Sequence, residues 1–196
     1  MSGVTELWLI RHGETEWSLS GAHTSRTDIP LTDHGRKRAK ELGEYLAGTK
    51  FAAVLRSPMQ RARETCEIAG FGPQAVVDQG LMEWDYGIYE GRTTKEIQAE
   101  IPGWSVWKDA IVGGETVEQV GARADGVIAR ALAVGCDGGK AALFAHAHIL
   151  RILAARWVGL EARDGALFAL GTGSVSVLGW ERETRVVQRW NRGFED

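Results

Sequence analysis

Three apolar runs in this sequence end in basic residues of the kinds that bind oxyanions. Leu7-Trp8-Leu9-Ile10 gives way to Arg11-His12-Gly13. Phe51 to Leu55 gives way to Arg56-Ser57-Pro58, with Arg61 close behind. Ala141 to Ala145 gives way to His146-Ala147-His148. A guanidinium offers several N–H donors in a planar fork, imidazoles add donors, and helix N-termini add backbone amides. If the three run ends meet, two histidines and several arginines form a pocket for an anion. The formal net charge is −3, so any anion must be held by such a local pocket rather than by a basic surface.

Whether they meet depends on the elements that carry them. Glu6 to Ile10, Phe51 to Leu55 and Ala141 to Ala145 read as buried strands, and Ala75 to Val77 as a short strand. Thr32 is the N-cap of a helix on which Ala39, Leu42, Gly43 and Leu46 recur, and Gly48 can end it. Ser57-Pro58 predicts a helix start, Ser as N-cap and Pro at the first position, with Met59, Ala62, Cys66 and Ala69 as its apolar stripe. Thr93 to Glu100 reads as a short helix. Thr116 and Gln119 form a capping box that opens a long helix to about Val134. Another helix is expected from Ile149 to Val158. After Leu160 the pattern turns to strands at Phe168 to Leu170, Ser174 to Trp180 and Arg185 to Trp190.

Strands alternating with helices predict an α/β three-layer sandwich, a mainly parallel sheet with helices on both faces. The last strands, joined by short connections, are expected antiparallel at an edge. Ligands of such sheets bind beyond the carboxyl ends of the strands, which is where the three basic segments fall. The 196 residues suit a single domain, with 44% hydrophobic and 25% charged residues, an ordinary globular composition. The two cysteines, Cys66 and Cys136, the latter beside a glycine-rich turn, have neither metal nor disulfide spacing and fit reduced thiols in a cytosol. Met1 to Thr5 carry no basic n-region, and the run ending at Arg11 is too short for a signal peptide or a membrane span. A cytoplasmic protein without nucleic-acid or membrane partners is the expectation, and a homodimer is compatible with it.

The segments carry a resemblance. Leu9-Ile10-Arg11-His12-Gly13-Glu14-Thr15-Glu16-Trp17 resembles the signature of the histidine phosphatase superfamily, which includes cofactor-dependent phosphoglycerate mutases. Asp28 to Gly35 resembles the segment before the family's first helix, and Ser57 to Ala62 its second arginine motif. Leu81 to Gly91 resembles its acid segment, and Ala145 to Arg151 its second-histidine motif. An Arg-His-Gly triplet alone means little, whereas these motifs in order are specific.

The resemblance implies roles. His12 would be the nucleophile, neutral on the attacking nitrogen. Arg11, Arg61 and His146 would bind the nonbridging oxygens and the charge that builds on them. Glu83 would protonate the leaving alcohol and then activate water. The amide of Ala147, Ser18, Thr24, Ser25 and Tyr86 would be further substrate contacts. No metal and no other cofactor is implied. Asp85 and Glu90 would hold the acid loop, His148 faces substrate or packs, His23 sits at the pocket mouth, and His34 and Arg63 are surface residues. Trp84 and Trp107 are the tryptophans expected to line a cleft. Ala147 and Ser25 stand where relatives usually have glycine, and a side chain at either position would be strained if the backbone there has positive φ. Ser18 stands where many relatives have asparagine.

Three reactions are compatible with this signature. A mutase pattern would place an arginine pair between the acid loop and the second histidine, where this chain reads Pro102 to Asp109 without one, and a lysine after Gly91, where it reads Arg92-Thr93-Thr94. Those absences favour hydrolysis of a small phosphate ester through a phosphohistidine. The acid and second-histidine segments resemble sedoheptulose-1,7-bisphosphatases and actinobacterial acid phosphatases, which points to sugar phosphates or bisphosphates. A phosphoprotein-binding or phosphoprotein phosphatase module is the third reading, and retention of every reactive residue argues against loss of catalysis.

Overall fold

Hydrophobic alternation sorts the central strand's side chains onto two faces. β1 (Val4–Arg11) sends Leu7 and Leu9 into one buried cluster and Trp8 and Ile10 into another. The first cluster holds Val120, Ala124 and Val127 of α5 (Val117–Ala133) and Ile149 and Leu153 of α6 (Ala147–Trp157). The second holds Leu42 and Leu46 of α2 (Asp33–Leu46) and Cys66 of α3 (Gln60–Ile68). Helices therefore cover both faces, giving the three layers expected. This computed structural model describes residues 4–134 and 139–194, and Cys136 lies outside them.

The other strands are β2 (Ala53–Arg56), β3 (Ala75–Val77), β4 (Gly139–Ala145), β5 (Val175–Glu181) and β6 (Thr184–Arg192). They form one sheet in the order β3-β2-β4-β1-β5-β6. β1, β2, β3 and β4 run parallel, and β5 and β6 continue antiparallel at one edge. Two short helices, α1 (Glu16–Ser20) and α4 (Thr94–Glu100), lie in the connections. No helix among the described residues is long and apolar enough to cross a membrane.

Register brings the reactive segments together. Arg11 pairs with Ala145 and Arg56 with Phe144, so β1 and β2 both end level with the end of β4. The amide of His12 donates to Ala145 O at 3.0 Å, and that of Ser57 to Phe144 O at 2.9 Å. His12, Ser57 and His146 thus leave the sheet side by side.

Two local expectations differ from the structure, and one helix is not anticipated. Helix α3 starts at Gln60 with Met59 in the cap position, not at Ser57-Pro58. The Ser57 hydroxyl is drawn 2.7 Å from His146 Nε2, and Asp28 Oδ1 supplies the missing cap by accepting from the Gln60 amide at 2.6 Å. Phe168 to Leu170 is not a strand. Its carbonyls serve side chains instead, Ala169 O accepting from Trp190 Nε1 and Leu170 O from Arg11 Nη1. Helix α1 escapes periodicity because five residues cannot show it. It is defined by a capping box in which Thr15 and Ser18 exchange hydrogen bonds.

Candidate active site

His12 leaves β1 on a turn that only glycine permits. A side chain at Gly13 would meet the Gly35 carbonyl oxygen at 2.6 Å, and the Gly13 amide donates to Thr65 Oγ1 at 3.0 Å. The turn therefore packs hard against the start of α2 and against α3. It also presents the Gly13 carbonyl 2.7 Å from His12 Nδ1. A carbonyl only accepts, so the ring proton sits on Nδ1 and the lone pair on Nε2, which has no hydrogen-bond partner among the described residues. Burial first, and then the charges of Arg61 and Arg11, hold the His12 imidazolium form well below the usual 6.5. His12 is neutral at physiological pH.

Behind His12 lies a buried basic pair. Arg61, on the first turn of α3, is 0% exposed, as is His146. Arg61 Nε donates to His146 Nδ1 at 3.1 Å, and Nη1 and Nη2 donate to the carbonyls of Thr27, Thr24 and Ser25. The neutral His146 ring then carries its proton on Nε2 and donates to Ser57 Oγ. The rings of His12 and His146 meet edge to face, 5.2 Å between centroids. Neither Arg61, His146 nor Ser25 borders the open cavity in front of His12.

Glu83 is tied to the start of α6. It is 5% exposed, and its carboxylate caps α6 from outside the helix. Oε2 accepts from the amide of His148, and Oε1 from those of Ile149 and Trp84, all at 2.9–3.0 Å. His146 occupies the cap position with no capping side chain of its own, so Glu83 supplies the anion that this helix end favours. The acid is thereby locked to the same strand–helix junction that carries His146.

Beside His12 and Glu83 opens a cavity of about 410 Å³. Arg11, His12, Ser18, Thr24, Glu83, Tyr86 and Ala147 all border it. Ser18 Oγ donates to Thr15 O and Thr24 Oγ1 to Ala22 O, so both hydroxyls are already partnered. Arg11 Nη1 donates to Leu170 O, while Nε is buried without a partner, and burial lowers this guanidinium to about 10. Neither Ala147 nor Ser25 has positive φ, so neither replacement of glycine is strained. Glu90 ties the loop by accepting from the amides of Ser25 and Thr27, and Asp85 pairs with Arg26 at 2.7 Å.

The aromatic expectations divide. Trp107 lines the cavity, but Trp84 does not, being 0% exposed with Nε1 donating to Glu115 O. Trp104, His23 and Arg151 line it too. Trp104 and Arg151 carry no signal in their local patterns, although Arg151 stands three residues beyond His148 on a predicted helix, a spacing that puts them on one face.

The buried imidazoles make a prediction about stability. Burial holds His12, His146 and His148 well below 6.5 and lowers His23 less far. In the unfolded chain each ionises near 6.5. As pH falls below that value, the unfolded state takes up protons that the folded state refuses. Stability is therefore complete above about pH 7 and declines below 6.5, by about 1.4 kcal/mol per pH unit for each such histidine. Urea midpoints should drop steeply from pH 7.5 to 5.5. A flat profile would mean that these rings are charged in the folded protein.

Known proteins supply the comparison. A model of the histidine phosphatase superfamily (branch 1) matches residues 7–193. An acid phosphatase of Mycobacterium tuberculosis is 40% identical over 182 residues, covering 91% of this chain and 88% of the relative. The sedoheptulose 1,7-bisphosphatase of Saccharomyces cerevisiae is 37% identical, covering 78% of this chain and 67% of the relative. A mycobacterial glucosyl-3-phosphoglycerate phosphatase has been solved with the same fold. Its TM-score is 0.84 and its identity 26%, covering 96% of this chain and 99% of that one.

Proposed function

Since the chain belongs to the histidine phosphatase superfamily, we propose that it hydrolyses small phosphate esters, sugar phosphates or bisphosphates among them, through a phosphohistidine on His12. The observation that carries this reading is the His12 tautomer. Nδ1–H is committed to Gly13 O, and Nε2 keeps its lone pair in a ring that borders an open cavity beside Arg11 and Glu83.

The chemistry follows from that arrangement. Nε2 attacks phosphorus, the bond from phosphorus to the ester oxygen breaks, and that oxygen takes the Glu83 proton. Water then loses a proton to the Glu83 carboxylate and attacks the phosphorus, and the nitrogen–phosphorus bond breaks to free His12 and inorganic phosphate. Arg11 meets the phosphoryl oxygens directly. An oxyanion there offsets the cost of its buried, unpartnered Nε. Arg61 and His146 act from behind, where a guanidinium in a low-dielectric setting stabilises charge developing on the phosphoryl group. Arg61 also fixes the Thr24–Thr27 carbonyls and, with Ser57, the orientation of His146.

Phosphate release from a panel of sugar phosphates, phosphoglycerates and phosphopeptides tests this reading, with 2-phosphoglycerate formation measured alongside. Release from the small esters should exceed both release from phosphopeptides and isomerisation. Faster isomerisation than release would make the chain a mutase. Since arginines supply the positive charge of the proposed site, turnover should survive a chelator and be inhibited competitively by vanadate. Loss on chelation that Mg²⁺ or Mn²⁺ reverses would contradict the proposed mechanism.

A further inference from the structure

His12 reaches the cavity from a turn whose backbone is held at every polar atom. Its amide donates to Ala145 O on β4 at 3.0 Å, and its carbonyl accepts from the Gly173 amide at 2.9 Å. One residue on, the Gly13 amide donates to Thr65 Oγ1 at 3.0 Å, and the Gly13 carbonyl accepts from His12 Nδ1 at 2.7 Å. Among the described residues, Thr65 is the only partner of the His12–Gly13 backbone that is another residue's side chain. It is 0% exposed and does not border the cavity. Water therefore cannot stand in for its hydroxyl at the Gly13 amide.

The hydroxyl is itself oriented. Thr65 Oγ1 donates to Arg61 O, four residues back on α3, at 2.8 Å. Its proton is committed there, and a lone pair is left for the Gly13 amide. The same turn of α3 thus holds both sides of the site. Arg61 Nε orients His146 at 3.1 Å, while Arg61 O orients the hydroxyl that holds Gly13. One helix fixes the Arg61 guanidinium relative to the His12 ring.

Gly13 is where such a hold matters. Glycine has no Cβ to restrict its two backbone torsions, and those torsions lie between the amide that Thr65 binds and the carbonyl that His12 needs. With the amide pinned, the carbonyl points at Nδ1. With the amide released, the carbonyl can turn away. The neutral His12 ring is then free to carry its proton on Nε2, and a protonated Nε2 has no lone pair with which to attack phosphorus.

We propose that Thr65 is a positioning residue for the reaction: by holding the Gly13 amide it aims the Gly13 carbonyl at His12 Nδ1 and keeps the lone pair on Nε2. The role rests on the reading that His12 is the nucleophile. Thr65 acts through Gly13 and touches neither substrate nor the reacting atoms.

Three substitutions separate the hydroxyl from the volume. Thr65→Val keeps the branched shape without the acceptor, Thr65→Ser keeps the acceptor, and Thr65→Ala keeps neither. In the valine and alanine variants kcat should fall roughly 10- to 100-fold with KM little changed, the cost of misplacing a reacting group by about 1 Å. Vanadate should inhibit all three as it does the wild type, because Arg11 is untouched. Thr65→Ser should recover most of the loss. A packing role predicts the opposite order, with valine the best tolerated. Long-range proton–nitrogen NMR of protein carrying isotope-labelled histidine reads the tautomer directly. Wild type and Thr65→Ser should hold the His12 proton on Nδ1, and the other two variants should show part of it on Nε2. That readout uses the resting protein and needs no turnover. Tautomers that move as expected in a protein that releases no phosphate would overturn the functional reading and leave the hold on His12 standing. Undiminished kcat in Thr65→Val, equal losses in the serine and alanine variants, or an unmoved tautomer would overturn the role of Thr65. If Thr65→Val does not fold, serine against alanine decides, since the two differ by the hydroxyl alone.

Discussion

Replacing His12 with alanine is expected to lower turnover by roughly 10⁴- to 10⁶-fold, the range seen when a covalent nucleophile is removed. The basis is that His12 borders the cavity with Arg11 and Glu83 and keeps a ring nitrogen without a hydrogen-bond partner among the described residues. The rings of His146 and His148 have their Nδ1 lone pairs engaged, by Arg61 and by Tyr86. The basic pocket should survive the substitution. Vanadate and phosphate should still bind, because Arg11 and Arg61 are untouched. Steady-state phosphate release and inhibitor binding, measured on the same variant, check both halves. Activity within tenfold of wild type would mean that His12 is not the nucleophile.

Glu83→Gln is expected to cost roughly 10²- to 10⁴-fold in kcat for an alkyl ester, the usual worth of a general acid. The structure adds a second consequence. The carboxylate accepts from three backbone amides, two on Oε1 and one on Oε2. Glutamine puts an NH₂ group where one oxygen was, so a donor faces a donor at the start of α6. Leaving such a buried group unsatisfied costs about 1–3 kcal/mol, and the melting temperature should fall with activity. The two effects separate by substrate. An aryl phosphate leaves without needing the proton, so its single-turnover phosphorylation step should be hurt much less than that of an alkyl phosphate. A helix displaced by poor capping would slow both alike. Equal losses would remove Glu83 as the leaving-group acid and leave it as a cap.

The residue types that could do chemistry were legible because they sit at strand ends, and strand ends converge in a parallel sheet. Reading Arg11, His12 and His146 needed only short apolar runs and the alternation with helices. The long helices were equally plain. Thr32 and Thr116 cap them as expected, because a cap and a stripe on one face are local signals. What stayed hidden was set by tertiary hydrogen bonding. Ser57 looks like an N-cap in isolation, but His146 draws its hydroxyl and Asp28 takes over the cap. Phe168 to Leu170 has a strand's composition, yet its carbonyls are claimed by Arg11 and Trp190 from distant segments. Trp84 and Trp107 are alike in sequence, and only packing decides that one is sealed while the other lines the cavity. Whether Arg61 borders the cavity or lies behind it is likewise a matter of the loop Thr24–Thr27 closing over its guanidinium.

The central claim is a covalent bond between His12 Nε2 and the substrate's phosphorus. Brief exposure to phosphate ester labelled on the phosphoryl group, followed by an alkaline quench, tests it most directly. Mass spectrometry of the digested protein should place the label on the peptide containing His12, stable in base and lost in acid. His12→Ala should carry none under the same conditions. Label on another residue, or label that persists in the alanine variant, would contradict the account.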